Sequence, residues 1–95
     1  MAGYIIARVN VTDPEKYQDY TAVTPGLIAK HGGRFIVRGG ETATLEGPEE
    51  TGRIVVIEFD SLEQAKAMYE SAEYQAAIKL RAGAATAQFL AVAGV

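Results

Sequence analysis

The stretch His31-Gly32-Gly33-Arg34-Phe35-Ile36-Val37-Arg38-Gly39-Gly40 constrains the fold more than any other part of the chain. Two glycines end whatever precedes them, five residues of extended character follow, and two further glycines let the backbone bulge or bend. A helix therefore has to end at His31 and a strand has to begin at Arg34. Strand alternation puts Phe35 and Val37 on one face, with Arg34, Ile36 and Arg38 on the other. The chain has 95 residues, room for one core only, so this helix-to-strand turn belongs to a single domain spanning residues 1–95.

The remaining elements follow from periodicity. Tyr4 to Val11 reads as a strand, with Ile5, Ala7, Val9 and Val11 on one face and Tyr4, Ile6, Arg8 and Asn10 on the other. Asp13-Pro14 is a helix start, the aspartate capping free amides and the proline standing where its missing N–H is no loss. Helical spacing then aligns Tyr17, Tyr20, Thr24, Leu27, Ile28 and His31. Pro25 falls inside this stripe and predicts a kink rather than an end, because the stripe continues in phase. After an acidic turn over Gly47–Gly52, Arg53 to Asp60 forms a third strand. It sets Val55, Ile57 and Phe59 against Ile54, Val56, Glu58 and Asp60, while Glu46 and Arg53 are placed to pair across the turn.

Ser61-Leu62-Glu63-Gln64 has the pattern of a capping box. The helix it opens turns Leu62, Ala65, Met68, Tyr69 and Ala72 inward. Ser71 caps a second short helix with Tyr74, Ala77, Ile78 and Arg81 inward, and Gly83 closes it. Ala85 to Val95 supplies the last strand. The order βαββαβ is that of an α+β, ferredoxin-like fold: a four-stranded antiparallel sheet with its helices on one face.

Helices on one face leave the other bare, and that face carries Ile6, Ile36, Ile54 and Val56, with Leu90 or Phe89 according to the register of the last strand. So much exposed apolar surface exceeds what a monomer tolerates, and each large side chain left wet forfeits roughly 1.5–3 kcal/mol. A homodimer formed by sheet-to-sheet packing about a two-fold axis is the expected remedy.

Arg8, Arg38 and Glu58 sit among these apolar positions. Charges there must be paired, hydrated or offered to a ligand. One reading is a cavity at the dimer interface in which Arg8 and Arg38 grip a small anionic ligand, an organic acid or oxygenated aromatic, and Glu58 acts as acid or base. The other is a structural dimerisation module whose charges set register. Histidine is the one side chain that changes charge near neutral pH, so His31 joins Glu58 as a catalytic candidate, although a histidine in a last helical turn also suits the helix dipole. Tyr74 and Arg81, inward on the last helix and first of all packing residues, complete the ligand-binding candidates.

Composition excludes several classes. There is no cysteine and only one histidine, so no metal site and no cofactor are expected. Nine scattered Lys and Arg against twelve Asp and Glu leave no basic stripe for nucleic acid. No apolar run approaches the ~20 residues of a membrane span. The N-terminus lacks the pattern of a signal peptide, and a cytoplasmic location is the expectation.

Asp13-Pro14 with Tyr17 and Tyr20, His31-Gly32-Gly33-Arg34, Arg38-Gly39-Gly40, Leu45-Glu46-Gly47, Arg53 with Ile57-Glu58-Phe59, Ala65, Tyr69-Glu70-Ser71, Glu73-Tyr74-Gln75 and Arg81 together resemble the DUF1330 family over nearly the whole chain. The resemblance implies a ferredoxin-like protomer of the dimeric α/β barrel superfamily. It implies little about activity. Cofactor-free monooxygenases, haem proteins and lactone isomerases in that superfamily are analogies of fold alone, and nothing besides His31 favours a haem. Pro48-Glu49-Glu50-Thr51-Gly52 replaces a turn that carries tryptophan in many members, and Asp60 and Ala72 stand where prolines are usual.

Overall fold

β1 (Gly3–Val11) is the axis of the molecule. In the computed structural model, which describes residues Met1–Val95, it lies inside a four-stranded sheet of order β2-β3-β1-β4. β2 spans Arg34–Arg38, β3 Arg53–Phe59 and β4 Ala85–Ala93, and every neighbouring pair is antiparallel. Three helices, α1 (Pro14–Lys30), α2 (Leu62–Glu70) and α3 (Ala72–Ile78), complete the α+β, ferredoxin-like architecture, with a 3-10 turn at Lys79–Arg81. The expected alternation holds along β1. Ile5, Ala7 and Val9 are buried, and they join Ile57, Phe59, Met68 and Tyr74 in the core. No helix is long and apolar enough to cross a membrane.

The local signals operate largely as read. Asp13 caps α1 by accepting the Lys16 N–H, and the helix runs through Pro25 to Lys30. Its end is a Schellman motif: Gly32, at φ +80°, donates to the Ala29 carbonyl, and Gly33 donates to that of Ile28. Ser61 caps α2 by accepting the Gln64 N–H. The capping box, however, is only half formed. The Gln64 side chain donates to the His31 carbonyl at 2.9 Å, tying the start of α2 to the end of α1 instead of turning back on its own helix.

β2 departs from the expected alternation. Arg34 lies opposite Glu58 and Phe35 opposite Ile57, but the next pairs are Val37 with Val56 and Arg38 with Val55. Ile36 is therefore the extra residue of a β-bulge, three residues earlier than the Gly39-Gly40 pair expected to hold it. The bulge reverses the facing of everything after it: Val37 joins the open face, and Arg38 turns to the helix-covered side. On the open face Ile36, Val37, Leu90 and Val92 are exposed. β4 pairs Ala7 with Phe89 and Ile6 with Leu90, so Phe89 faces the helices and Leu90 the open side.

Candidate functional site

The alternation that buries Val55, Ile57 and Phe59 also places Arg53 on the helix-covered side, opposite Val9. With Arg38 brought round by the bulge, two guanidinium groups enter a cleft between the sheet and the helices α1 and α3. Tyr17, Tyr20, Tyr74 and Phe89 form much of its wall, and its volume is about 40 Å³. Arg38 is exposed and stacks its guanidinium carbon 4.3 Å from the centre of the Phe35 ring. A third guanidinium, Arg81, stands behind the wall with Cζ 5.2 Å from the centroids of both Tyr20 and Phe89.

None of these three arginines has a carboxylate partner. The ion pairs of the molecule are Arg8 with Glu50, Lys30 and His31 with Glu73, and Arg34 with Glu58. The Nε atoms of Arg53 and Arg81 are buried without any hydrogen-bond acceptor. A buried donor left unmet costs about 1–3 kcal/mol, more for a charged group, so such atoms need an explanation.

The tyrosines share this electrostatic setting. The Tyr20 and Tyr74 hydroxyls lie 2.5 Å apart in the core. Burial is the main cause that pushes the Tyr74 hydroxyl well above the ordinary tyrosine range, followed by the neighbouring Tyr20, while Arg81 opposes the shift. Tyr17 is also raised by burial and then by Tyr20, against the positive charges of Arg53 and Arg81. Burial disfavours the charge on Arg81, but its interactions with the Tyr74 and Tyr20 hydroxyls outweigh this and raise its pKa. The outcome is that Tyr17 and Tyr74 stand as neutral phenols beside positive guanidinium groups, a surface rich in donors.

The residues expected from the sequence to form one site are divided among three places. Tyr74 lines the cleft, with Arg81 behind its wall, and Arg38 lines it too, a correction to its expected position on the open face. Arg8 and Glu58 occupy that open face and are already engaged. Arg8 pairs with Glu50 and donates to Gln88 at 3.2 Å, whereas Glu58 accepts from Arg34 Nε at 2.7 Å and from the Tyr4 hydroxyl at 3.2 Å. His31 caps α1, with Nε2 3.5 Å from Glu73 Oε1. From Tyr17 to His31 the helix rises about 21 Å, at about 1.5 Å per residue, so His31 lies at the far end from the arginines. Neither His31 nor Glu58 lines the cleft.

Sequence reasoning missed Arg53 as a site residue. It had been set to pair with Glu46, which makes no ion pair; the available signal was its phase, since positions 53, 55, 57 and 59 share one face. Tyr17 and Tyr20, aligned on one helical stripe by the sequence, are buried in the core, and both also line the cleft.

Solved structures share this architecture. A protein of unknown function from Rhodopseudomonas palustris, RPA0582, superposes with a TM-score of 0.73 at 19% identity, covering 99% of this chain and 82% of that one. SnoaB, a cofactor-independent oxygenase from Streptomyces nogalater, gives a TM-score of 0.69 at 12% identity, with 99% and 93% covered. A dimeric ferredoxin-like protein of unknown function from Thermobifida fusca gives 0.63 at 18%, with 99% and 92% covered. At such identities the likeness is one of fold. Among curated proteins none matches. Residues 2–95 match the model of DUF1330, a domain of unknown function, and the chain belongs to that family.

Proposed function

We propose that this protein binds a small organic anion, a carboxylate or phenolate, in the cleft between its sheet and helices. The observation that carries the reading is the buried guanidinium Nε of Arg53, in the cleft lining, which no protein acceptor meets, with the equally unmet Nε of Arg81 behind the aromatic wall. Guanidinium groups donate and never accept, and the raised pKa values keep Tyr17 and Tyr74 as neutral hydroxyls. The complementary ligand brings acceptors and negative charge, and a carboxylate matches the fork of an arginine. Tyr17, Tyr20 and Phe89 supply aromatic walls to that site. Thermal-shift measurements with acetate and benzoate test this: stabilisation by either acid, lost in Arg53→Met, is expected. Equal shifts in wild type and Arg53→Met would overturn it.

The charges of the open face favour a different role. Arg8–Glu50 and Arg34–Glu58 are satisfied within the chain, which supports the reading of that face as a dimerisation surface with a fixed register rather than a ligand cavity. Ile36 and Leu90, more than half exposed there, would be covered by a second copy packed sheet to sheet, and the dimeric Thermobifida fusca neighbour supports this. Sedimentation should give twice the chain mass of 10.1 kDa, and Leu90→Glu should give the single chain. A wild-type species of one chain at micromolar concentration would overturn the dimer.

A further inference from the structure

We propose that the ligand is an amphipathic acid whose oxyanion lies in the arginine cleft and whose apolar part occupies a second cavity between α2 and β4. The inference rests on the anion-binding reading above and names the other half of the molecule. The cleft, at about 40 Å³, has room for a head group and little more. The second cavity has about 330 Å³ and is lined by Ile5, Ala65, Tyr69, Phe89, Leu90 and Ala91, with Lys66 and Glu70 as its polar members. That volume falls at the lower end of small-molecule sites, about 300–1,000 Å³.

Phe89 belongs to both cavities. Its ring centre lies 5.8 Å from that of Tyr69, on the groove side, and 6.1 Å from that of Tyr74, on the cleft side, where the Arg81 guanidinium also faces it. One half-buried side chain on an edge strand is thus common to a cationic compartment and an apolar one.

Small side chains leave the apolar compartment open, and on β4 the one that lines it is Ala91. The positions of β4 that face the helices are Ala85, Ala87, Phe89, Ala91 and Ala93, four methyl groups around one ring. Across the groove α2 offers another alanine, Ala65. Branched aliphatic residues would fill this space as Val9, Val55 and Ile57 do elsewhere on the same sheet face, and unfilled apolar volume lowers stability. An apolar chain or ring continuous with the anion is the occupant that meets both compartments at once.

Calorimetric titration of the full chain with acetate, butyrate, hexanoate and octanoate tests the proposal, with octan-1-ol as the headless control. Affinity should rise by roughly fourfold for each methylene that enters the groove. Octanol should bind far more weakly than octanoate. Ala91→Phe fills the groove from a position remote from the arginines and should abolish the chain-length gain while acetate still binds. Ala91→Ile, which suits a strand, should reduce the gain if the phenylalanine variant does not fold. Equal affinity for all four acids in the wild type overturns this inference and leaves the anion site standing, the result expected if a second copy fills the groove. A full gain retained in Ala91→Phe overturns the groove as its location, and failure of every acid to bind overturns the anion reading and this inference with it.

Discussion

The hydroxyls of Tyr20, on α1, and Tyr74, on α3, meet at 2.5 Å inside the core, so each phenol satisfies the other where water does not reach. Removing one leaves the second buried without this partner, whereas removing both replaces the pair by apolar rings of similar shape. Tyr20→Phe and Tyr74→Phe should each cost about 1–2 kcal/mol, and the double variant should cost less than their sum. Urea unfolding of the four proteins reads the coupling; strict additivity would show that the contact contributes nothing.

Arg53 should oppose stability in the ligand-free protein, since its buried Nε is unmet. Arg53→Met keeps the aliphatic stem and removes the charge. An unchanged melting temperature, or a rise of a few degrees for about 1 kcal/mol, is expected, together with loss of the anion-induced shift. A clear fall in melting temperature would reveal a partner already satisfying this guanidinium.

Gly39 links backbone and site. It has φ +71°, and a Cβ placed on it would come within 2.8 Å of the Arg53 guanidinium carbon. Gly39→Ala should cost about 1–2 kcal/mol and displace Arg53, weakening anion binding. Gly40, whose added Cβ meets nothing within 4 Å, is the control, and Gly40→Ala should leave binding intact. Identical behaviour of the two variants in titration would remove Gly39 from this role.

Two carboxylates give the fold an acid-side pH dependence. Glu50 is held below the ordinary value of 4.5, first by the Gly52 amide and then by Arg8, and Glu73 first by its hydrogen bond to Lys30, with His31 adding to the effect. A lowered folded pKa means that the unfolded chain takes up protons first. The stabilisation is therefore complete above the unfolded value and is lost as pH falls through the folded ones. Glu73 is exposed and Glu50, though half-buried, pairs with an exposed Arg8, so the effect is small. Melting temperatures recorded downward from pH 4.5 should fall less steeply for Glu73→Gln than for the wild type.

Ser71 joins α2 to α3, accepting the Tyr74 N–H at 3.1 Å and donating to the Met68 carbonyl at 2.7 Å. Ser71→Ala should cost about 1 kcal/mol in denaturant unfolding, and Ser71→Asp, which keeps the acceptor, should recover part of it.

Much of the architecture was legible because its signals are local. Asp13-Pro14, Ser61 and Ser71 act within one turn of themselves, and Gly32 needs only its own backbone freedom to close α1. The half-formed capping box marks the limit of such reasoning. Gln64 matched the pattern, but the His31 carbonyl, brought near by the fold at the end of α1, drew its side chain away. The site was less legible for the same reason: whether an arginine is paired or orphaned depends on which carboxylates the chain brings beside it, and Arg8 met Glu50 while Arg53 met none.

The sequence by itself determined the order of elements, the helix-facing rows of β1 and β3 and the apolar character of the open sheet face, since these follow from period-two and period-3.6 patterns. Only the tertiary structure decided where the charges went. Inserting Ile36 as a bulge shifts the pairing of β2 with β3 by one residue, and a one-residue shift turns every later side chain to the other face. Arg38 thereby left the open face for the cleft of Arg53, Tyr20 and Tyr74. Nothing in Arg34-Phe35-Ile36-Val37-Arg38 signals that slip, because its cause is the fit of β2 against β3 and the helices above them.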